Sequence, residues 1–221
     1  MALVRNRIEK RYVILCEGID TFNFMLQYLK SNALSYDQRF SNDIQLFDFG
    51  GIDNLYTFIL SLKGMENFDA ITRLLIIRDA ETSVERANNM IHTALTKSDL
   101  PVPKCCHSWT TEGVEIQTAF TLMPTCSPEP STGALEDLCW DILKDEHACQ
   151  MKKDIQEFIW QMNKKYNSIQ THEHKSRLHS YFSVNEKLIS LKIGEAAKAG
   201  AFDWSSPKLQ SLKELLEQGF E

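Results

Sequence analysis

The sequence predicts an α/β fold: a mainly parallel sheet sandwiched by helices, with a helical C-terminal part. Three observations carry this. Short runs rich in aliphatic and other β-forming residues end near Cys16, Phe47 and Arg78, so two successive intervals are 31 residues long, close to the ~30 residues of a βαβ unit. The stretches between these runs change to apolar spacings of three and four, the mark of an amphipathic helix. Beyond residue 133 the chain reads as helical to its end. Strands that alternate with helices imply parallel pairing, right-handed crossovers and a sheet covered on both faces.

The first run, "RYVILC" (residues 11–16), reads as a buried strand stopping at Glu17-Gly18. Phe22, Met25, Leu26 and Leu29 then mark one face of a helix, with Asp20 or Thr21 placed to cap its start. A second strand lies in "DIQLFDFGG" (residues 43–51), with Ile44, Leu46 and Phe47 as its apolar part and Gly50-Gly51 as a tight turn. A helix through Leu55, Phe58, Ile59 and Leu62 leads to the third strand, "LLIIRDAET" (residues 74–82), and another helix covers 84–95. Val114, Ile116, Thr118, Phe120 and Leu122 alternate with more polar neighbours. That pattern predicts one-sided strands that turn at Glu112-Gly113 and extend the sheet, with antiparallel pairing as one option. Helices are expected over 135–143, 155–166, around 178–191 and over 209–216, the last started by Pro207. The resulting division is an α/β domain over 1–124, a loop over 125–133 and a helical part over 134–221 packed on the first.

Hydrophobic residues make up 43% and charged residues 24% of the 221 positions, ordinary for a globular protein with a sizeable core. The charged start "MALVRNRIEKRY" lacks the apolar stretch of a signal peptide, and no run approaches the ~20 apolar residues of a membrane span. A soluble, cytoplasmic protein is expected. The six cysteines include no Cys-x-x-Cys pair, so reduced thiols rather than a zinc site are expected. Cys105, Cys106 and His107 are adjacent, which suits neither zinc nor a nucleophile dyad and reads as half-buried strand. His172, His174 and His179 read as part of a solvated helix. No Gly-x-x-x-x-Gly-Lys-Ser/Thr is present, which excludes a recognisable ATPase. The net charge of −6 repels nucleic acid overall, but residues 148–192 carry eight Lys and Arg against four Asp and Glu.

Chemistry is expected at the carboxyl ends of the strands, where loops and helix N-termini of an open parallel sheet converge. Glu17 follows the first strand, Asp48 ends the second, and Asp79 and Glu81 end the third. On extended backbone residues i and i+2 point the same way, so Asp79 and Glu81 are expected to face one point. Carboxylates brought together raise each other's pKa unless a cation neutralises them, and a hard divalent ion such as Mg²⁺ or Mn²⁺ takes oxygen ligands. Each acid also has an ordinary reading: Asp20 as a helix cap, Glu81 and Glu136 as first-turn helix acids.

At these residues the chain resembles the toprim family, the catalytic fold of topoisomerases, primases and certain nucleases. The matching motifs are the Glu-Gly of "VILCEGIDT" and the acidic pair of "IIRDAE", in which Glu81 stands where the family usually has Asp. Among toprim groups it is most similar to the overcoming-lysogenization-defect (OLD) nucleases and small relatives. Those add an early Asp, a Gly-x-Leu-Glu and a late Lys, for which Asp20, Glu136 of "GALE", and Lys175 or Lys187 are the candidates here. The resemblance implies phosphoryl transfer on DNA or RNA. Glu17, Asp79 and Glu81 would hold one metal, Asp20 and Glu136 a second, and a lysine would stabilise developing charge. It also makes residues 152–192, with Trp160, Tyr166, Tyr181 and Phe182, the candidate to track phosphates and stack bases, the ordinary reading of these charges being a solvated face. Two alternatives stay open: a receiver-like phosphoacceptor at Asp79, and an inactive toprim scaffold that binds a partner such as a separate ATPase subunit.

Overall fold

The computed structural model describes residues 7–31, 43–111, 113–144, 148–167 and 172–220. Strands β1 (Tyr12–Glu17), β2 (Ile44–Gly50), β3 (Arg73–Asp79) and β4 (Gln117–Met123) form one all-parallel sheet in the order β2-β1-β3-β4. Helices α1 (Gly18–Lys30), α2 (Leu55–Lys63) and α3 (Val84–Lys97) connect them. The C-terminal part supplies α4 (Leu135–Asp141), α5 (Ala148–Tyr166), α6 (Glu173–Val184), α7 (Ile193–Lys198) and α8 (Gln210–Phe220). This is the α/β architecture that the strand spacing predicts.

Period-two alternation divides the strand side chains between two cores. Val13, Leu15, Leu74, Ile76, Phe120 and Leu122 face α2 and α3. Tyr12, Ile14, Cys16, Leu75, Ile77, Ala119 and Met123 face α1 and the C-terminal helices, which insert Leu178, Tyr181, Leu212, Leu216 and Phe220 into the same cluster. The helical part therefore completes one layer of the sheet. Its last helix reaches back to the start of the fold, stacking Phe220 on Tyr12 with ring centroids 5.0 Å apart.

The third interstrand connection differs from expectation. Instead of one-sided strands, a single strand β4 runs parallel to β3 and is buried along its whole length. Its polar members tolerate burial because their hydroxyls are partnered: Thr118 donates to the Pro101 carbonyl, and Thr121 meets His107 Nδ1 at 3.1 Å. Val114 is exposed, and Glu112 lies outside the described residues. Residues 105–107 form a turn rather than a strand, with Cys105 exposed and Cys106 buried. Burial pushes the Cys106 thiol up to about 12 and lowers the His107 pKa. The far edge of β4 is closed: the carbonyls of Thr118, Phe120 and Leu122 accept the N–H groups of Thr110, His107 and Cys126.

Other boundaries move by short distances. β2 continues past Phe47 to Gly50, where Asp48 Oδ1 accepts the Gly50 N–H at 2.7 Å and turns the chain. The helix expected around 178–191 runs instead from Glu173 to Val184, and Asn185 Oδ1 then accepts the Lys187 N–H in a turn. The short helix α7 was not visible in the apolar spacing; Gly194 lets it sit so close to α1 that a Cβ there would meet Asn23 Cβ at 2.3 Å.

Candidate functional site

In the order β2-β1-β3-β4 the chain leaves β1 toward β2, then crosses back to β3 and on to β4. The direction reverses between β1 and β3, so their carboxyl ends flank the crevice where open α/β sheets bind ligands. Glu17 is the last residue of β1 and Asp79 the last of β3. Gly18 follows at φ +80, a left-handed conformation suited to glycine, and sends the chain directly into α1. Helix α1 therefore begins at Gly18, earlier than expected, and Asp20 sits in its first turn instead of capping it.

Glu17 and Asp79 are joined through Arg78. Glu17 Oε2 lies 3.4 Å from Arg78 Nε and accepts the Asp79 N–H at 3.2 Å. Arg78 is only 4% exposed, and its guanidinium also donates to the carbonyls of Asp79 and Ala87. Burial lowers its pKa, opposed by the charges of Glu17, Asp79 and Glu81. An arginine at the end of the apolar run "LLII" is the signal in the sequence for this buried ion pair.

A second segment, 133–136, docks on the same corner. Gly133 and Glu81 exchange two backbone hydrogen bonds of 2.8 Å each. Gly133 has φ +132, and a Cβ there would stand 2.6 Å from Asp137 Oδ2, so this position requires glycine. Helix α4 starts immediately after, and its Leu135 N–H donates to Asp79 Oδ1 at 2.9 Å. Glu136 follows, 8% exposed, and Asp137 accepts the Ala134 N–H as the acidic half of a capping box. The "GALE" and "RDAE" segments, whose bonded residues Glu81 and Gly133 are 52 positions apart, thus form one unit.

The electrostatics follow from this crowding. Burial raises the Asp79 pKa well above the usual carboxylate range, reinforced by the charges of Glu17 and Glu136 and, after partial relief by the Leu135 N–H, by Glu81. Burial likewise raises the Cys139 thiol, helped by Glu136, Asp20 and Asp79. Asp20 Oδ1 is buried and has no hydrogen-bond partner among the described residues.

Not every expected feature appears. Strand β3 ends at Asp79, and Glu81 is exposed at φ +52, so the two acids do not lie on one extended backbone; the bridge to Gly133 bends the chain between them. Glu81 also precedes α3, whose cap is Ser83 and whose first-turn acid is Glu85. Lys175 Nζ lies 3.9 Å from Glu136 Oε1, whereas Lys187 lines a separate recess with Lys144 and Asp203. Tyr181 and Phe182 are core residues and cannot stack on bases; Trp160 and Tyr166 are exposed, with Lys164 and Lys165 over their rings at 4.8 and 4.9 Å. The Leu135 N–H and the pair Arg177–Asp137, 2.7 Å apart, carry no sequence signal, because only tertiary docking brings them there.

Oxygen donors of this kind suit a hard divalent cation. As the side chains are posed, no three Asp, Glu, His or Cys among the described residues stand together closely enough to hold a metal ion. The reason is visible in their partners: Glu17 is turned onto Arg78, Asp79 onto the Leu135 N–H and Glu136 toward Lys175.

Fold and site define an open parallel α/β protein with an acidic crevice at its topological switch point. The chain belongs to the DUF3226 family, described as a protein of unknown function, whose family model matches residues 11–221. No curated protein and no solved structure matches it. Among the described residues no helix is long and apolar enough to cross a membrane.

Proposed function

We propose that this chain is a Mg²⁺- or Mn²⁺-dependent enzyme of toprim, OLD-nuclease type that transfers or hydrolyses phosphodiesters of DNA or RNA. The observation that carries the reading is the convergence of Glu17, Asp79 and Glu136 at the β1/β3 switch point, where burial and the charges of the other two disfavour the charged form of Asp79. A bound divalent cation would supply charge neutralisation and a more acidic water. The chain's own residues divide the remaining work. Asp79 is the fixed member, oriented by the Leu135 N–H. Glu17 and Glu136 are the adjustable ligands, since each is held by a cation it can exchange. Asp20, whose buried Oδ1 has no hydrogen-bond partner among the described residues, and Glu81, exposed after β3, are the further carboxylates available. Lys175, released from Glu136 and half exposed, is the better placed of the two lysines to meet a phosphate.

Plasmid or RNA incubated with Mn²⁺ tests this. Native protein should cut, and Asp79→Asn should lose roughly 10²–10³-fold in rate. Equal cutting by both proteins would sink the proposal. Labelling of Asp79 by acetyl phosphate without any cutting would favour a phosphoacceptor instead.

A further inference from the structure

A polar cleft of ≈ 530 Å³ opens beside α4, between the 124–132 loop, α6 and the start of α8. Its walls carry two cations, Arg177 and Lys208, and the hydroxyl side chains of Ser127, Ser131, Thr132 and Ser211. Two carboxylates also line it, and each already holds one cation: Asp137 pairs with Arg177 at 2.7 Å and Asp141 with Lys208 at 3.0 Å. These pairs are unequal. Arg177 and Asp137 are about four-fifths buried and their contact is short, whereas the Lys208 and Asp141 side chains are 64% and 46% exposed. An exposed pair contributes little and is readily exchanged for another anion. Arg177 spends one terminal nitrogen on Asp137, while its Nε is buried without a hydrogen-bond partner among the described residues. A planar guanidinium that lines a cleft suits the oxygens of a phosphate.

Asp137 and Glu136 are consecutive on α4, so the cleft and the carboxylate crevice share one helix as their common wall. We infer that the cleft binds a backbone phosphate of the nucleic-acid strand, next to the phosphate presented to Glu17, Asp79 and Glu136. The Arg177 guanidinium, where it lines the cleft, and the released Lys208 ammonium contact its oxygens, and the hydroxyls complete its hydrogen bonds. This rests on the phosphodiester reading above and adds the binding surface that the acidic crevice lacks.

The test is equilibrium binding of a fluorescein-labelled single-stranded DNA about 12 nucleotides long, followed by anisotropy over a range of salt in Ca²⁺. Arg177→Ala and Lys208→Glu should each weaken binding roughly tenfold or more and lower the salt slope by about 1. Lys97→Ala, on α3, should do neither, and inorganic phosphate should compete with the DNA. Lys208 is exposed enough that Lys208→Glu should melt at the native temperature, so its loss of binding cannot be a folding defect. If native protein binds DNA while both cleft variants bind equally well with the same slope, the cleft inference fails and the carboxylate reading stands. If native protein leaves the DNA free, the two fall together.

Discussion

Asp79 concentrates the tension of this fold in one side chain. Its folded pKa lies above the ordinary Asp value of ~3.9 because burial and neighbouring carboxylates oppose its charge. The stability it contributes is therefore fully present below that ordinary value and is lost as pH rises through the raised folded one. Asp79→Asn keeps an acceptor for the Leu135 N–H and removes the charge, so without metal it should be more stable than the native protein at neutral pH. That advantage should shrink as the solution is acidified toward ~3.9, which thermal melts over a pH series will show. Added Mn²⁺ should raise the native melting temperature and leave that of the variant unchanged. Gly133→Ala tests the neighbouring segment. Strain at φ +132 and the clash with Asp137 Oδ2 should cost about 1–3 kcal/mol in denaturant unfolding.

At the scale of elements, the strands ending at Glu17 and Asp79 were legible because both are continuous apolar runs closed by charge. β4 was harder to read. Its threonines imitate the alternation of a half-exposed strand, and their partners, Pro101 and His107, are set by packing rather than by neighbours in sequence. The docking of Glu136 on the corner was legible only through a motif, since nothing in the periodicity of 134–141 says which way α4 turns. The loop preceding β4 has its own anchor: Trp109 Nε1 donates to the Leu215 carbonyl at 3.1 Å and its ring lies against Gly219 of α8. A Cβ at Gly219 would fall 2.0 Å from the indole, so Gly219→Ala should destabilise by about 1–3 kcal/mol through overpacking, seen as an earlier urea midpoint.

For the whole molecule, a sequence division at residue 124 does not coincide with a division of the core. The cluster on the α1 face of the sheet takes side chains from β1 and from α8 alike. Heat should therefore unfold the chain in one transition, with tryptophan fluorescence and far-UV circular dichroism coincident. Leu216→Ala, fully buried in that cluster, should shift the transition as a unit by about 2–5 kcal/mol. A protein stopped at Pro124 should fail to fold, because the lost helices leave Tyr12, Ile14, Ile77 and Met123 facing water. The hydrogen bonds from Thr110, His107 and Cys126 to β4 bear on a different hazard. An outermost strand with spare carbonyls is a template on which further chains can stack into fibres. With those carbonyls already taken, growth of the sheet along this flank is blocked.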